Sequence, residues 1–291
     1  MITEKFDYVK ANTLSDAISL LTQYKDDAKI LSGGMSLVPM MKLRLAAPKY
    51  IIDINGLSDL DFITESDGHL KIGGLTRESE LEKSNLVRSK YQIIYETTKM
   101  IADPQVRNRA TIGGNLAHGD PANDHPATLL ALNANVVATG PNGKRTIPIS
   151  QFFTDIFTTA LESNEILTEV QVPVPEPNSG GAYFKLERKV GDYATAGVAA
   201  HVVLSGDGKC QRAGIGLTNV GSVPIKAKNA ENFLVGKNLD MNTINEAAKL
   251  AAEESNPNAD LRGSVEYKKA MVKELTKRAL TKALERAKGG N

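Results

Sequence analysis

Residues 28–45 read AKILSGGMSLVPMMKLRL, and this stretch predicts the architecture of the first part of the chain. Residues 28–31 are typical of a short buried strand, and a turn with two glycines follows at once. Residues 37–45 are apolar enough for a short helix, and residues 50–54 give a second strand after Pro48. This order predicts two parallel strands joined by a right-handed crossover. A helix that starts after the N-cap candidate Thr13 precedes the unit.

The turn Ser32-Gly33-Gly34-Met35-Ser36 is the first candidate binding site. Its glycines can adopt positive φ and let a ligand approach the backbone. Free N–H groups at the start of a helix favour an anion. The turn is therefore either a pyrophosphate cradle or a tight turn that binds nothing, and its own sequence leaves both readings open.

A second candidate site is Thr111-Ile112-Gly113-Gly114-Asn115, which we interpret as a polar loop. It offers small residues, backbone donors, one hydroxyl and one side-chain amide. Two such loops suit a dinucleotide better than a mononucleotide, because two phosphates require many donors. Neither loop matches G-x-G-x-x-G, and G-x-x-x-x-G-K-[ST] is absent, so the motifs favour neither a Rossmann nor a P-loop protein.

The remaining pattern predicts one helix over residues 86–101 that ends before Pro104, and another over 124–132 with Asp124 as N-cap. Asn142-Gly143 predicts a hairpin turn. The Pro- and Gly-rich residues 172–181 are the predicted linker. Beyond the linker we predict three strands followed by two helices, at residues 182–188, 196–204, 213–218, 243–254 and 264–287.

Composition excludes several classes of function. The net charge is +1, and Lys-rich runs such as Lys268-Lys269 are interpreted as solvated surface, so nucleic-acid binding is not expected. Cys210, interpreted as lying in a polar turn, is the single cysteine and cannot by itself hold an iron–sulfur cluster. Few cysteines, a charged N-terminus and no run of about 18 apolar residues predict a cytoplasmic protein without membrane insertion.

The tract from His118 to His125, HGDPANDH, contains two His and two Asp, but its spacing matches no zincin motif. We interpret it as a polar loop around a ligand rather than a metal site. Asp124 would either cap its helix or accept from a ribose hydroxyl. No nucleophile motif is present, and we predict no catalytic residue and no metal ligand in this chain.

Together these loops resemble the FAD-carrying medium subunits of the molybdenum hydroxylases, the family of xanthine dehydrogenase, carbon monoxide dehydrogenase and aldehyde oxidoreductase. Residues 30–45 resemble the first FAD motif of the family, and TIGGNLAHGDPAND at residues 111–124 resembles the second. LRGSVEY at residues 261–267 resembles the C-terminal domain. Met35 departs from the usual His or Gln of the first motif, which puts any side-chain contact there in doubt.

The resemblance implies an α+β fold. A FAD-binding domain of the PCMH type, similar to vanillyl-alcohol oxidase, would occupy residues 1–176, with subdomains at 1–55 and 56–176 and FAD in the cleft between them. Residues 177–291 would form a C-terminal domain of the carbon monoxide dehydrogenase flavoprotein type, a three-stranded antiparallel sheet beside a helical bundle.

The resemblance also implies a set of FAD-binding residues. Residues 30–37 would wrap the pyrophosphate with 111–115 on its other side, Asp124 would contact the sugar or phosphate region, and Tyr193 would lie over the isoalloxazine. The full predicted set is Ile30, Leu31, Ser32, Gly33, Gly34, Met35, Ser36, Leu37, Ile101, Thr111, Ile112, Gly113, Gly114, Asn115, Asp124, Leu167, Lys185 and Tyr193.

By the same resemblance, a large partner subunit would hold molybdenum with molybdopterin and oxidise the substrate, and a small one would hold two [2Fe–2S] clusters. The complex would be one heterotrimer or a dimer of heterotrimers, passing electrons through FAD to an external acceptor. Aldehydes, glyceraldehyde among them, are the first expectation for the substrate; carbon monoxide, purines, nicotinate and aromatic acyl thioesters stay open. The alternatives are a free-standing flavoprotein that oxidises its own substrate, and a nucleotide-binding or scaffold protein without a redox role.

Overall fold

A computed structural model describes residues 2–290. Its first part is a parallel sheet with the strand order β1-β3-β2, which confirms the predicted strand–turn–helix–strand unit and adds one strand before it. Helix α1 starts with a capping box, in which the Thr13 hydroxyl accepts the Asp16 N–H and the Asp16 carboxylate accepts the Thr13 N–H. The elements are β1 (Asp7–Lys10), α1 (Leu14–Tyr24), β2 (Ala28–Leu31), α2 (Leu37–Lys42) and β3 (Tyr50–Asp53).

The second part is an antiparallel sheet in the order β4-β5-β10-β6-β7, with helices packed on it. The hairpin predicted from Asn142-Gly143 joins β6 and β7. The strands are β4 (Ile63–Ser66), β5 (His69–Gly73), β6 (Asn135–Gly140), β7 (Gly143–Pro148), the short pair β8 (Phe153–Asp155) and β9 (Thr158–Thr159), and β10 (Ile166–Pro173). The helices are α3 (Glu78–Lys83), α4 (Asn85–Lys90), α5 (Gln92–Met100), α6 (Pro104–Arg107), α7 (Ile112–His118) and α8 (His125–Ala131).

The last part contains the three predicted long strands in an antiparallel sheet, which a short fourth strand extends in the order β11-β12-β13-β14. The two predicted closing helices are confirmed, and a third, shorter helix precedes them. The elements are β11 (Ser179–Leu186), β12 (Ala196–Leu204), β13 (Cys210–Thr218), β14 (Ile225–Lys226), α9 (Lys228–Leu234), α10 (Met241–Glu254) and α11 (Val265–Ala287).

Two glycines of β13 let helix α8 lie directly on the C-terminal sheet. A Cβ at Gly214 would lie 1.9 Å from the carbonyl oxygen of Ala131, and one at Gly216 would lie 1.9 Å from that of Ala127. Any side chain there would push the helix off the sheet. Because α8 starts directly after Asp124, this contact fixes the position of that carboxylate.

Two helix boundaries differ from the prediction. The single helix expected over residues 86–101 is broken at Tyr91, whose φ of −121° and ψ of 50° lie outside the helical region. Tyr91 is buried, and its hydroxyl donates to Glu65 at 2.8 Å, so tertiary packing overrides the local helical pattern. Pro104 does not merely end a helix; it starts α6, with Asp103 as N-cap.

The predicted bounds of the linker, residues 172–181, are wrong. Strand β10 runs to Pro173 and β11 begins at Ser179, so only residues 174–178 connect them. Gly180 lies inside β11, where a Cβ would be 2.3 Å from the carbonyl oxygen of Ala283 in α11; its glycine serves close packing, not a turn.

Two side chains assigned to polar surface are buried. Lys268 donates to Asp260 Oδ2 at 2.8 Å and to Asn258 O at 3.0 Å. Cys210 starts β13 rather than lying in a polar turn, and burial raises the pKa of its thiol to about 11.

Candidate functional site

The two predicted glycine motifs line one cleft with a volume of about 580 Å³. All of the predicted cofactor-binding residues line this cleft except two. Leu31 lies in strand β2 outside the lining, and Ile112 points into the core, where it is fully buried. The cleft also takes residues from β10, β11 and the loop after β11, so all three parts of the chain contribute.

The first loop presents a row of unused backbone donors. Within residues 2–290, the N–H groups of Gly33, Gly34, Met35 and Ser36 donate no hydrogen bond. Gly34 has a φ of +75°, in the left-handed region that glycine adopts without strain. Successive amides in such a turn form a concavity that attracts an anion.

The two loops are in direct contact. The Thr111 hydroxyl donates to Ser32 Oγ at 3.2 Å. Gly33 lies so close to the second loop that a Cβ there would be 2.3 Å from Arg109 O. A Cβ on Gly114 would lie 2.8 Å from Ser32 Oγ and Thr111 Oγ1. Glycines at these two positions therefore allow the loops to meet, which confirms the predicted convergence of the two turns.

The second motif is the start of a helix and not a polar loop. Thr111 is the N-cap of α7, and its hydroxyl accepts the Gly114 N–H at 3.1 Å. The N–H groups of Ile112, Gly113 and Asn115 are also used and donate to Thr76 O, Gly74 O and Thr111 O, whereas within residues 2–290 the Thr111 N–H donates no hydrogen bond. The expectation of a set of backbone donors from each loop is therefore wrong for the second loop, which keeps one unused amide and otherwise supplies close packing and side chains.

Asn115 carries a further signal for a ligand. Its Oδ1 is buried and has no hydrogen-bond partner within residues 2–290, although the residue lines the cleft. Native proteins rarely leave a buried acceptor unsatisfied, so this oxygen points to a donor supplied from outside the chain.

An arginine and an asparagine that sequence inspection missed hold the first loop in place. Asn55 Nδ2 donates to Ser32 O at 2.7 Å, and the Arg77 guanidinium donates to Asn55 Oδ1 and to Arg109 O. Burial and the charge of Arg109 lower the pKa of Arg77. Both residues lie outside the glycine motifs, and no local pattern in the sequence marks them.

Asp124 does not cap its helix. Its side chain makes no hydrogen bond to the start of α8 and instead accepts from the Tyr183 hydroxyl and from Lys185 Nζ at 3.0 Å. Lys185 also donates to Met100 O at 2.9 Å. Burial raises the pKa of Asp124, while Lys185 and Tyr183 oppose this shift; burial raises the pKa of Tyr183 as well. Asp124 and Lys185 therefore form a buried ion pair at the wall of the cleft, and the Tyr183 hydroxyl holds the carboxylate in place.

Aromatic and apolar side chains surround the mouth of the cleft. Met35 and Tyr193 line it and are exposed, as is Phe157, which sequence inspection missed. The His118 ring packs against Phe157 with centroids 5.1 Å apart, and burial lowers the pKa of that imidazole. These surfaces suit the flat face of an aromatic ligand.

The two histidines of the tract from His118 to His125 point to different places. His118 faces the cleft, whereas His125 is buried with its Nε2 2.8 Å from Glu78 Oε2. Within residues 2–290 no group of three or more His, Cys, Asp or Glu side chains is arranged to hold a metal ion. In the same range, no helix is long and apolar enough to cross a membrane.

The residues present fit a dinucleotide such as FAD. The amides of the first loop suit a diphosphate, the orphaned Asn115 oxygen suits a ligand donor, and the exposed ring of Tyr193 suits an aromatic face. The cleft volume lies within the range of small-molecule and cofactor sites, roughly 300–1,000 Å³. Fold and site together thus define a dinucleotide-binding α+β protein whose cleft lies between two sheets and borders a third.

Comparison with known proteins identifies the family. Residues 4–175 match the FAD binding domain in molybdopterin dehydrogenase, and residues 181–283 match the CO dehydrogenase flavoprotein C-terminal domain. The chain is 43% identical to the carbon monoxide dehydrogenase medium chain of Hydrogenophaga pseudoflava, covering 98% of this chain and 99% of that one. It is 36% identical to the glyceraldehyde dehydrogenase medium chain of Sulfolobus acidocaldarius, with 96% and 98% covered.

Solved structures give the same result. Carbon monoxide dehydrogenase from Hydrogenophaga pseudoflava matches with a TM-score of 0.96 at 45% identity, over 98% of this chain and 99% of that chain. Quinoline 2-oxidoreductase from Pseudomonas putida 86 matches with a TM-score of 0.92 at 32% identity, over 99% of both chains. The chain therefore belongs to the FAD-binding medium subunits of the molybdenum hydroxylases, as the resemblance predicted, and it is an oxidoreductase subunit.

Proposed function

We propose that this chain is the electron-transfer subunit of a heteromeric molybdenum hydroxylase, passing electrons from [2Fe–2S] clusters of a small partner subunit through FAD to an external acceptor. FAD supplies the redox chemistry when bound, and the protein supplies its position and its electrostatic surroundings. The observation that carries the proposal is the contact between the free-amide turn at residues 32–36 and Thr111.

We propose a separate role for each part of the cleft lining. The amides of residues 33–36 would hold the diphosphate, with Asn115 accepting from the ligand on the opposite side. Asp124 is paired with Lys185, which also pairs with Glu187 at 3.4 Å, so Asp124 would present a fixed ion pair to the ligand rather than a free charge. Tyr193 would cover one face of the isoalloxazine. The other predicted residues that line the cleft, among them Ile101 and Leu167, would supply its apolar walls.

The proposed division of labour between subunits follows from this chain's own residues. Cys210 is its single cysteine, so Cys-ligated clusters must be held by another chain. No residue of the cleft needs to act as acid or base on the substrate, which a large molybdenum subunit would oxidise. We propose one heterotrimer or a dimer of heterotrimers, located in the cytoplasm.

The proposed substrate class is an aldehyde, with glyceraldehyde as the first candidate, supported by the 36% identity to a glyceraldehyde dehydrogenase medium chain. Carbon monoxide is the alternative candidate, and the similarity favours it, since the carbon monoxide dehydrogenase medium chain is 43% identical to this chain against 36% for the glyceraldehyde dehydrogenase medium chain. The substrate would bind to the large subunit, so similarity in this chain is an indirect guide to it.

The test starts with the full chain purified alone. We expect bound FAD, with flavin absorbance near ~370 and ~450 nm that is typical of the oxidised cofactor, and no oxidation of aldehydes. A flavin-free chain that does not take up added FAD would refute FAD binding. A chain that oxidises aldehydes without partners would instead support a free-standing flavoprotein.

The second step purifies the chain with the proteins that bind to it. We expect molybdenum and iron in the complex, and oxidation of glyceraldehyde or carbon monoxide in a side-by-side assay with an artificial electron acceptor. A complex that contains neither metal would contradict the proposed electron route. A complex active only on carbon monoxide would identify carbon monoxide as the substrate instead of an aldehyde.

A further inference from the structure

The loop between β11 and β12 contributes Gly191, Asp192 and Tyr193 to the lining of the cleft. Its tip, Val190, is almost fully exposed, and Tyr193 lines the cleft with 45% of its surface exposed. Gly191 has a φ of +82° and lies against the segment that follows α5, where a Cβ would be 2.8 Å from Ala102 O. The loop thus packs on this segment and presents the aromatic ring of Tyr193 to the cleft.

Asp192 anchors this loop. Its Oδ1 accepts the backbone N–H of Tyr193 at 2.8 Å and also Arg262 Nη2 at 3.1 Å. Its Oδ2 accepts Arg188 Nε at 2.8 Å. These hydrogen bonds, from Arg188 first and then from Arg262, hold the pKa of the Asp192 carboxyl well below its usual range. One carboxylate oxygen therefore ties the backbone of Tyr193 to Arg262.

Arg262 is itself linked to helix α11 through Asp260. Its backbone N–H donates to Asp260 Oδ1 at 2.8 Å, and the other oxygen of Asp260 accepts the buried Lys268 Nζ at 2.8 Å. Its guanidinium carbon lies 6.0 Å from the centroid of the Tyr193 ring, at the outer limit of a cation–π contact. A chain of contacts therefore leads from α11 to the mouth of the cleft.

The two arginines that pair with Asp192 differ in their exposure to solvent. The Arg188 side chain is 50% exposed, whereas that of Arg262 is 23% exposed. Exposed ion pairs contribute little because water screens them and because two long side chains lose entropy. Arg262 is therefore the tether that water screens less, and it is the one anchored outside the loop.

We propose that Arg262 is a positioning residue that, acting through Asp192, holds the ring of Tyr193 against the isoalloxazine of bound FAD. The inference rests on the proposed function, since it requires flavin beneath Tyr193. It gives a role to the LRGSVEY segment, which the binding of FAD alone does not use.

Fluorescence of the bound flavin reports this position directly. A phenol ring stacked on isoalloxazine quenches its emission, and a phenylalanine ring does so far less. The chain contains no tryptophan, so Tyr193 is the aromatic quencher that the cleft offers. The full chain is saturated with FAD, and emission is measured per bound flavin.

We expect Tyr193→Phe to raise emission severalfold, and Arg262→Gln to reach at least half of that increase at equal FAD occupancy. Arg262→Lys keeps a charge that can reach Asp192 and should restore part of the quenching. In the Tyr193→Phe background, Arg262→Gln should add nothing, because the residue acts through Tyr193. Arg278→Gln, which removes an exposed ion pair with Glu274, is the matched control and should equal the wild type.

If the flavin emission of Arg262→Gln equals that of the wild type while the emission of Tyr193→Phe rises, the inference is overturned and FAD binding is unaffected. If the Tyr193→Phe variant binds FAD and its flavin stays as quenched as in the wild type, the ring of Tyr193 does not lie against the isoalloxazine, and the inference is also overturned. Failure of the wild-type chain to bind FAD would instead overturn the proposed function. Should Arg262→Gln not fold, Asp192→Asn decides: brightening supports the tether, and unchanged quenching overturns it.

Discussion

Gly33 lies against the backbone of the second loop, at a distance that leaves no space for a side chain. Its missing Cβ would be 2.3 Å from Arg109 O and 2.8 Å from the Cα of Ala110. Backbone atoms cannot yield as the end of a flexible side chain can, so even one methyl group must separate the loops. Inspection of the sequence suggests that a side chain here would block a ligand; the structure shows that it would first break the contact that forms the cleft.

We therefore predict that Gly33→Ala lowers FAD affinity by about tenfold or more, since overpacking of this kind costs about 1–3 kcal/mol. Equilibrium titration of the FAD-free chain measures the change. Gly206→Ala is the matched control, because a Cβ there meets no atom of residues 2–290 within 4 Å, and it should bind FAD as the wild type does. Equal affinity in both variants would contradict the close approach.

The carboxylate of Asp124 is buried and accepts a hydrogen bond from Lys185 Nζ. Removal of its carboxylate by Asp124→Ala leaves the buried Lys185 ammonium with Met100 O and the more distant Glu187, so we expect the free energy of unfolding to fall by about 3 kcal/mol. Urea denaturation of the FAD-free chain separates this loss from cofactor binding. Asp27→Ala, which removes an exposed pair with Lys49, should cost less than about 1 kcal/mol. Similar losses in the two variants would show that the buried pair carries no special weight.

At the scale of elements, local patterns predicted those helices and strands whose boundaries are set locally. Helix α1 follows its capping box, and the Asn-Gly hairpin follows its turn chemistry. The prediction failed where distant parts of the chain decide the structure. Tyr91 breaks a helix in order to reach Glu65, and Gly180 sits inside a strand because α11 packs on it. The glycines of the second motif suggested a loop, although they lie in the first turn of α7.

Thr111, the N-cap of helix α7, stabilises the start of that helix and also contacts the first loop of the binding site. Thr111→Ala removes the cap of Gly114 and the bond to Ser32, so we predict a loss of about 1 kcal/mol in the free energy of unfolding together with weaker FAD binding. Thr111→Ser keeps the hydroxyl and should restore both. Chemical denaturation and FAD titration of the two variants provide the measurements. A serine variant as weak as the alanine variant would attribute the effect to the lost methyl group instead.

For the whole molecule, the glycine motifs predicted the cleft, but not the network that assembles it. Arg77 and Asn55 join the two loops, and no pattern marks either residue, because their roles depend on segments that meet only in three dimensions. The same holds for the contact of helix α11 with helix α5 and strand β11, which we call the seam. There Arg286 of α11 pairs with Glu96 of α5, 190 residues away in the sequence, and donates to Gly181 O.

His201, on β12, lines a second cavity of about 410 Å³ at this seam. Burial lowers the pKa of its imidazole to about 4, with Arg212 and Lys226 acting in the same direction and Glu176 against it. In the unfolded chain the imidazole titrates near ~6.5. The folded state therefore binds fewer protons between these values, and the stability it gains from a neutral His201 is present above pH ~6.5 and is lost as the pH falls toward 4.

We expect this linkage to cost about 2–3 kcal/mol of unfolding free energy between pH 7 and pH 4, from the conversion of a pKa difference into free energy. Carboxylates also titrate in that range, so the test compares His201→Gln with the wild type rather than either protein alone. Urea denaturation at a series of pH values should give the variant the shallower pH dependence, because Gln does not titrate. Parallel curves would mean that the His201 imidazole is protonated in the folded protein as readily as in the unfolded chain, and would exclude it as a cause of acid instability at the seam.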